Sequence, residues 1–187
     1  MIVAIAVAVV AVLVLALVAS RMRGSRRTAG LKQGFGPEYE REVNRVGRGK
    51  AESELLQRQK RVEKMEIREL TRDQASGYTT EWEAVQSKFV DDPAMAVRQA
   101  DELVGRVMQD RGYPVGEFEQ KVADVSVDHP TVANNYRAAH GIASKNSGGG
   151  ASTEDLRQAM VHYRALFQDL LQVAPSQGKA TDGQSPA

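Results

Sequence analysis

The sequence DDPAMAVRQADELVGRVMQDR, residues 91–111, decides the fold class of this chain. Its start carries two signals of a helix N-terminus. Asp92 can accept a backbone N–H bond as the N-cap, and Pro93 lacks the N–H that the first turn leaves unpaired. The apolar residues that follow recur at helical spacing and share one broad face, which predicts a central helix over residues 93–111. They are Val97, Ala100, Leu103, Val104, Val107 and Met108.

Further helices are predicted on both sides of this element. Thr71 and Gln74 have the spacing of a capping box, and so do Ser152 and Asp155. No segment alternates with a period of two for long enough to form a strand, so the predicted fold is all-α. The predicted helices cover residues 72–90, 93–111, a short segment that contains Phe118 and Val122, 130–144 and 153–172. Their apolar stripes comprise Tyr78, Trp82, Val85 and Phe89; Val132, Tyr136, Ala139 and Ala143; and Leu156, Met160, Tyr163, Phe167 and Leu170.

The N-terminus carries the longest apolar stretch of the chain. Residues 2–19 consist only of Ala, Val, Ile and Leu, without a charge, a glycine or a proline. As a helix this run spans about 27 Å, close to the roughly 30 Å hydrocarbon core of a bilayer. It is apolar on every side, whereas a helix packed on a protein core has a polar stripe. The sequence therefore predicts a transmembrane anchor over residues 1–20.

A secretory signal peptide is the main alternative for the same run. Signal peptides place basic residues before a short apolar centre and end in a small-x-small cleavage site. No Lys or Arg precedes this run, and Leu17-Val18-Ala19 is a poor cleavage site. These departures favour the anchor, and secretion is kept as the alternative localisation.

Basic residues follow the apolar run directly. Because Lys and Arg beside a span are retained in the cytoplasm, the predicted topology places the N-terminus outside and the rest of the chain in the cytoplasm. The predicted location is thus the cell membrane, crossed once. The same residues form a lipid-facing basic flank that attracts anionic headgroups. Five residues make up this basic flank, with no acidic residue before Glu38: Arg21, Arg23, Arg26, Arg27 and Lys32.

Composition divides the rest of the chain into four segments. Residues 21–36 are predicted to be a basic juxtamembrane linker, and residues 37–70 a charged stalk of one or two helices that offers a surface for homo-oligomers. Residues 71–173 are predicted to be a bundle of about five helices, and residues 174–187 a disordered tail. Residues 73–187 carry ten basic and sixteen acidic residues. An acidic main domain makes nucleic acid an unfavourable partner.

Six motifs together resemble a known family. They occur in the order Phe35-Gly-Pro-Glu-Tyr39, Trp82-x-x-Val-Gln-x-x-Phe-Val-Asp-Asp-Pro93, Arg111-Gly-Tyr-Pro114, Ser126-Val-Asp-His-Pro130, Tyr136-Arg-Ala-Ala-His140 and Met160-Val-His-Tyr-Arg164-Ala-Leu-Phe167. In this order they resemble a family of uncharacterised actinobacterial membrane-anchored helical proteins, usually labelled hypothetical, membrane or secreted, over about residues 34–172. The resemblance implies no catalytic residue, because the family carries no established activity.

The enzyme hypothesis centres on Asp128, His129 and His140, as an acid–base or metal-dependent hydrolase. No two histidines have the i, i+4 spacing of ligands on one helix, so the sequence predicts no catalytic residue, no metal site and no cofactor. Asp128 and His129 are also placed to cap helix 130–144, within the predicted turn Ser126–Pro130. The absence of Cys excludes thiol catalysis, disulfides and Cys-ligated zinc. Enzymatic activity is therefore the weaker interpretation.

Three functional hypotheses follow. The leading one is a membrane-tethered cytoplasmic helical domain that binds another protein, as an interaction or scaffolding module. The second is the hydrolase, and the third is a lipid- or nucleic-acid-associated tether that works through the basic flank. The lack of a catalytic motif favours the first hypothesis, in which the partners are the membrane and a protein.

Overall fold

The structure is a computed structural model that describes residues 21–22 and 24–171. Every regular element of these residues is an α-helix, which confirms the predicted all-α class. All four helices that were predicted with bounds start at the predicted residue. The helices are α1 (residues 24–35), α2 (Pro37–Val46), α3 (Arg48–Val62), α4 (Arg72–Lys88), α5 (Pro93–Asp110), α6 (Phe118–Asp128), α7 (Pro130–Ser147) and α8 (Thr153–Leu170).

The chain divides into two compact units. Of the described residues, the first unit holds those up to 66 and residues 115–138, and the second holds residues 67–114 and 139–171. Helices α1, α2, α3 and α6 belong to the first unit, and α4, α5 and α8 belong to the second. Helix α7 begins in the first unit and ends in the second. Residues 71–173, predicted as one bundle, thus contribute helices to both units.

The core of the first unit includes a cluster contributed by α1, α2 and α3. Leu31, Phe35, Tyr39 and Leu55 are buried together in this cluster. Leu31 and Phe35 are four residues apart and therefore lie on the same face of α1. Helix α6 packs against α3. Burial of these apolar side chains supplies the main driving force for folding this unit.

Two segments of the first unit differ from their prediction as linker and stalk. Residues 24–35 are helical, because burial of two large side chains outweighs the low helix propensity of three glycines. Residues 37–62 form two helices packed against each other, instead of a stalk that stands alone. Gly47 separates the two helices at a φ of 80°, a conformation that glycine adopts without steric cost.

Helix α5 packs against both α4 and α8 in the second unit, as its broad apolar face predicts. All six residues of that predicted face are buried. Trp82 on α4 stacks on Phe167 on α8, with their ring centroids 4.8 Å apart. The predicted stripe of α8 is buried in full: Leu156, Met160, Tyr163, Phe167 and Leu170.

The helix start signals act as predicted. The Thr71 hydroxyl accepts the N–H of Gln74 at 3.2 Å, and the Gln74 side chain accepts the N–H of Thr71 at 3.0 Å. Ser152 and Asp155 form the second capping box. Asp92 accepts the N–H of Met95 at 2.9 Å, as an N-cap before Pro93. Local side-chain chemistry therefore fixes where α4, α5 and α8 begin.

The segment Ser126–Pro130 is predicted as a turn, but α6 continues through Asp128. Ser126 is buried in the last turn of α6, where its hydroxyl donates to the carbonyl of Ala123 at 2.8 Å. This bond satisfies the serine inside a helix and removes its preference for a turn. His129 then ends α6, and α7 begins at the next residue.

Among the residues that the structure describes, no helix combines the length and the hydropathy needed to cross a bilayer. The predicted anchor, residues 1–20, lies outside the described residues, and so does the predicted tail, residues 174–187.

Candidate functional site

Two carboxylates of α2 are buried inside the first unit. Glu38 has an exposed fraction of 0% and Glu42 of 1%. They lie four residues apart, on the same face of the helix. Two buried like charges this close together need positive partners. Burying one unpaired ion costs roughly several kcal/mol, even after the surrounding protein has relaxed.

Arginines from three helices supply these positive partners. Arg137, on α7, donates to both Glu38 oxygens at 2.8 Å and forms a bidentate pair. Arg58, on α3, bridges the two carboxylates, at 3.0 Å from Glu38 and 3.1 Å from Glu42. Arg45 adds a bond from its Nε to Glu42 at 2.8 Å. We refer to Glu38, Glu42, Arg45, Arg58 and Arg137 as the buried ion network.

The buried ion network joins elements that are distant in the sequence. Burial raises the pKa of Glu42, but hydrogen bonds from Arg45 and Arg58 outweigh it and hold the pKa below its ordinary value. Glu42 is therefore ionised at neutral pH and accepts hydrogen bonds, so it does not serve as a general acid there. The network ties α2 to α3 and to the start of α7, which is a structural role.

A third buried carboxylate, Asp124, anchors α6 on α3. Asp124 has an exposed fraction of 0%, and Arg61 donates to it through Nε at 2.8 Å and through Nη2 at 2.5 Å. Gln120 donates to both Asp124 oxygens, at 2.9 and 3.0 Å. All of these partners belong to the first unit. These hydrogen bonds give Asp124 a structural role, like that of Glu38 and Glu42.

The residues of the hydrolase hypothesis are divided between the two units. Asp128 and His129 end α6 in the first unit, whereas His140 belongs to the part of α7 that lies in the second. In the second unit, His140 Nδ1 lies 3.8 Å from Asp101 Oδ1, and that oxygen also accepts the Tyr163 hydroxyl at 2.9 Å. The described residues contain no group of three His, Asp or Glu side chains placed to hold a metal ion.

The basic flank continues into the helical part of the first unit. Arg21, Arg26, Arg27 and Lys32 are exposed, and Arg23 lies outside the described residues. Lys32 pairs with Glu40 at 2.9 Å and lies 5.2 Å from the centre of the Tyr39 ring. The three described arginines pair with no carboxylate of the described chain, so their charge is available to an external anion.

The second unit has an apolar groove between the end of α4 and α8. Its volume is about 140 Å³, and Phe89, Met160 and Val161 line its apolar surface. Val161 is exposed, and Val90, which follows Phe89, has an exposed fraction of 84%. Arginines stand at the edge of the groove, and its lining is Gln86, Phe89, Arg157, Met160, Val161 and Arg164. We refer to these six residues as the α4–α8 groove.

The two arginines of the α4–α8 groove differ in their pairing. Arg157 is held by Glu154, one turn earlier on α8, at 2.7 Å. Arg164 makes no ion pair with any residue that the structure describes. A larger groove of about 440 Å³ lies between α4 and α5, but it is lined by charges of both signs and its Arg106 pairs with Glu81. The α4–α8 groove differs in that larger apolar side chains line it, no carboxylate is among its lining residues, and Arg164 has no partner carboxylate among the described residues.

The buried ion network is not among the predicted sites, because the sequence around Glu38 and Glu42 marks it only weakly. Glu38 and Glu42 lie in a segment rich in charged residues, where a solvated helix is the ordinary outcome. Their partners Arg58 and Arg137 are 20 and 99 residues from Glu38, so only tertiary structure brings them together. The i, i+4 spacing of two glutamates around Tyr39, on the face that carries the apolar residues, is the local feature that marks them.

No family model, no curated protein and no solved structure matches this chain. The resemblance carried by its motifs therefore stays a prediction.

Proposed function

We propose that this chain is a single-pass membrane protein whose second unit binds another protein through the α4–α8 groove. The observation that carries the proposal is the groove itself. Exposed Val90 and Val161 flank or line a concave apolar surface, while Arg164 stands at its edge without a carboxylate from the described chain. A groove of this kind accepts a protruding apolar side chain together with an acidic neighbour.

The chemistry of the groove defines the partner. The described residues of the second unit include nine basic and twelve acidic ones, so its net charge is negative. Arg164 is therefore a local positive charge on an acidic unit, and it favours a partner segment with a carboxylate beside an apolar residue. Charge complementarity of this sort selects partners and speeds their encounter more than it raises affinity.

The membrane part of the proposal rests on the sequence. Residues 2–19 are long enough and apolar enough to span a bilayer, and the basic flank follows them directly. The described residues of the first unit include fourteen basic and eleven acidic ones, which suits the part of the chain next to an anionic membrane surface. Because Lys and Arg beside a span are retained in the cytoplasm, the basic flank favours a cytoplasmic location for both units.

Site-specific photo-cross-linking in intact cells tests the groove. The full-length chain carries p-benzoylphenylalanine in place of Val161, and adducts are identified by mass spectrometry. We expect a discrete adduct with a second protein, in which the attached peptide contains an acidic residue beside an apolar one. The same photoreactive residue in place of the exposed Arg72, also in the second unit but outside the groove, serves as the matched control.

Charge reversal at the edge of the groove sharpens this experiment. Arg164→Glu should abolish the adduct formed at position 161, because it repels the carboxylate of the partner. No adduct above the Arg72 control, or an adduct that survives Arg164→Glu, would contradict the proposal. An adduct between two copies of this chain would contradict the proposal of a second protein as partner and would show that the groove is used for self-association.

A further inference from the structure

An open cleft in the first unit lies between α1 and the start of α3. Its volume is about 550 Å³. Three of its lining residues are cationic, namely Arg21, Lys32 and Arg48, and the others are small, with hydroxyls from Ser25 and Thr28. No carboxylate lines the cleft. Such a lining accepts an anion that carries several oxygen atoms.

The charge of this cleft is only partly compensated within the described chain. Lys32 pairs with Glu40, and Thr28 donates its hydroxyl to Glu52 at 2.8 Å. Arg21 and Arg48, in contrast, pair with no carboxylate of the described residues. Two guanidinium groups therefore remain to bind an external anion, and each offers a planar fork of donors that matches phosphate oxygens.

Two of the three cations of the cleft, Lys32 and Arg48, also act on the buried Tyr39 hydroxyl. Burial raises the pKa of its hydroxyl, as does its hydrogen bond to Glu52, while Arg48 and Lys32 both act in the opposite direction. Arg48, on α3, and Lys32, on α1, both line the cleft and therefore lie on the same side of the first unit. The cleft is thus a place where two helices bring positive charge together, and not a single charged helix face.

We infer that the cleft of Arg21, Lys32 and Arg48 binds the phosphodiester headgroup of an anionic lipid. This inference rests on the proposed anchor, because Arg21 follows the apolar run by two residues and therefore stands next to the headgroups. A phosphodiester monoanion accepts bonds from both arginines without needing a metal ion. Attraction between the cleft and anionic headgroups adds to the membrane affinity that the anchor supplies. It also restricts the orientation of the first unit at the membrane surface.

A titration of the full-length chain in a neutral detergent tests the inference. The probe is dihexanoyl phosphatidylglycerol below its micelle concentration, and heat of binding is the readout. Dihexanoyl phosphatidylcholine, inorganic phosphate and a short single-stranded oligonucleotide are titrated in parallel. We expect saturable binding of phosphatidylglycerol that is roughly tenfold tighter than binding of the other three probes, since one charge-assisted contact is worth about that factor.

Matched arginine variants separate the cleft from general charge. Arg48→Gln and Arg21→Gln should each weaken phosphatidylglycerol binding roughly tenfold, and Arg48→Lys should restore part of it. Arg26→Gln removes the same charge from the same basic flank outside the cleft, and it should change the affinity less than about twofold. The circular dichroism spectrum confirms that each variant is folded.

Four outcomes would overturn the inference. Equal effects of Arg26→Gln and Arg48→Gln would show attraction by net charge alone. Equal binding of phosphatidylcholine would remove the headgroup preference, and equal binding of inorganic phosphate would identify a site for the free anion. Tighter binding of the oligonucleotide would make nucleic acid the partner. Because the chain is in detergent, failure of the cross-linking experiment or of the predicted topology leaves this result unaffected.

Discussion

Trp82 is the aromatic anchor of the second unit. Its exposed fraction is 5%, and its ring stacks on Phe167 across α4 and α8. Trp82→Ala removes this contact and leaves a cavity, so we expect the free energy of unfolding to fall by about 3–5 kcal/mol. Chemical denaturation of the full chain in mild detergent, followed by circular dichroism, measures the change. An unchanged midpoint would mean that the tryptophan does not pack in the core.

Arg137 holds the deepest carboxylate of the buried ion network. Removing it leaves Glu38 without its bidentate partner in a buried position, and we expect Arg137→Met to cost about 3–5 kcal/mol in the same denaturation experiment. Arg98→Met is the matched control, because Arg98 is exposed and makes no ion pair within the described residues; it donates a hydrogen bond to the Met95 sulfur. Equal effects of the two substitutions would contradict the assigned role of the network.

Glu42 gives the buried ion network a pH dependence with a defined sign. Its pKa is lower in the folded chain than the ordinary value of 4.5. A depressed pKa contributes stability that is present above about pH 4.5 and is lost as the pH falls through the folded value. We expect Glu42→Gln to flatten this acid limb of the unfolding midpoint, whereas Glu83→Gln on the exposed side of α4 should leave it intact. A parallel acid limb in the Glu42 variant would exclude this carboxyl as its source.

At the scale of a single helix, the capping boxes are the features that the sequence predicts best. Thr71 and Gln74 exchange two hydrogen bonds at the start of α4. Thr71→Ala should lower stability by about 1 kcal/mol, since the first turn then loses a partner for its N–H. Thr80→Ala makes the same chemical change on the exposed face of the same helix and should cost clearly less. A larger loss at Thr80 would contradict the capping account.

Local pattern explains why the helix starts and the apolar faces of α5 and α8 are predicted correctly, whereas only Trp82 of the predicted α4 stripe is buried. A cap or an apolar stripe lies within a few turns of chain, so α4, α5 and α8 can be recognised from it. Helix α1 is missed, because its three glycines point to a linker and only tertiary burial of Leu31 and Phe35 outweighs them. The prediction of a turn over Ser126–Pro130 is wrong for a similar reason, since the buried Ser126 hydroxyl bonds inside α6, which continues to Asp128.

The residues of the two candidate sites are also only partly predictable from local sequence. Arg21 and Lys32 are found from the sequence, because they belong to a run of basic residues beside the apolar segment. Arg48 comes from another helix, and no spacing connects it with them. Phe89 and Met160 are predicted as core residues of their helices, whereas the structure also places both in the α4–α8 groove. Concave surfaces depend on the packing of whole helices and cannot be derived from one helical stripe.

The whole chain shows a graded distribution of charge. Five basic residues follow the apolar run, the first unit is net positive and the second is net negative. This order suits a protein whose N-terminal part meets an anionic membrane and whose second unit faces the cytoplasm. Under the two proposals, the cleft of Arg21, Lys32 and Arg48 binds a lipid of the bilayer and the α4–α8 groove binds a protein.

Two reporters fused at Ala187 test this central claim most directly. We expect a phosphatase that is active only outside the cytoplasm to be silent there, and a fluorescent protein that matures in the cytoplasm to be bright, both in the membrane fraction. Replacing the five basic-flank residues by Gln should weaken this orientation, because they are the charges that retain the chain inside. An active phosphatase with a dark fluorescent protein, in the unchanged chain, would contradict the account.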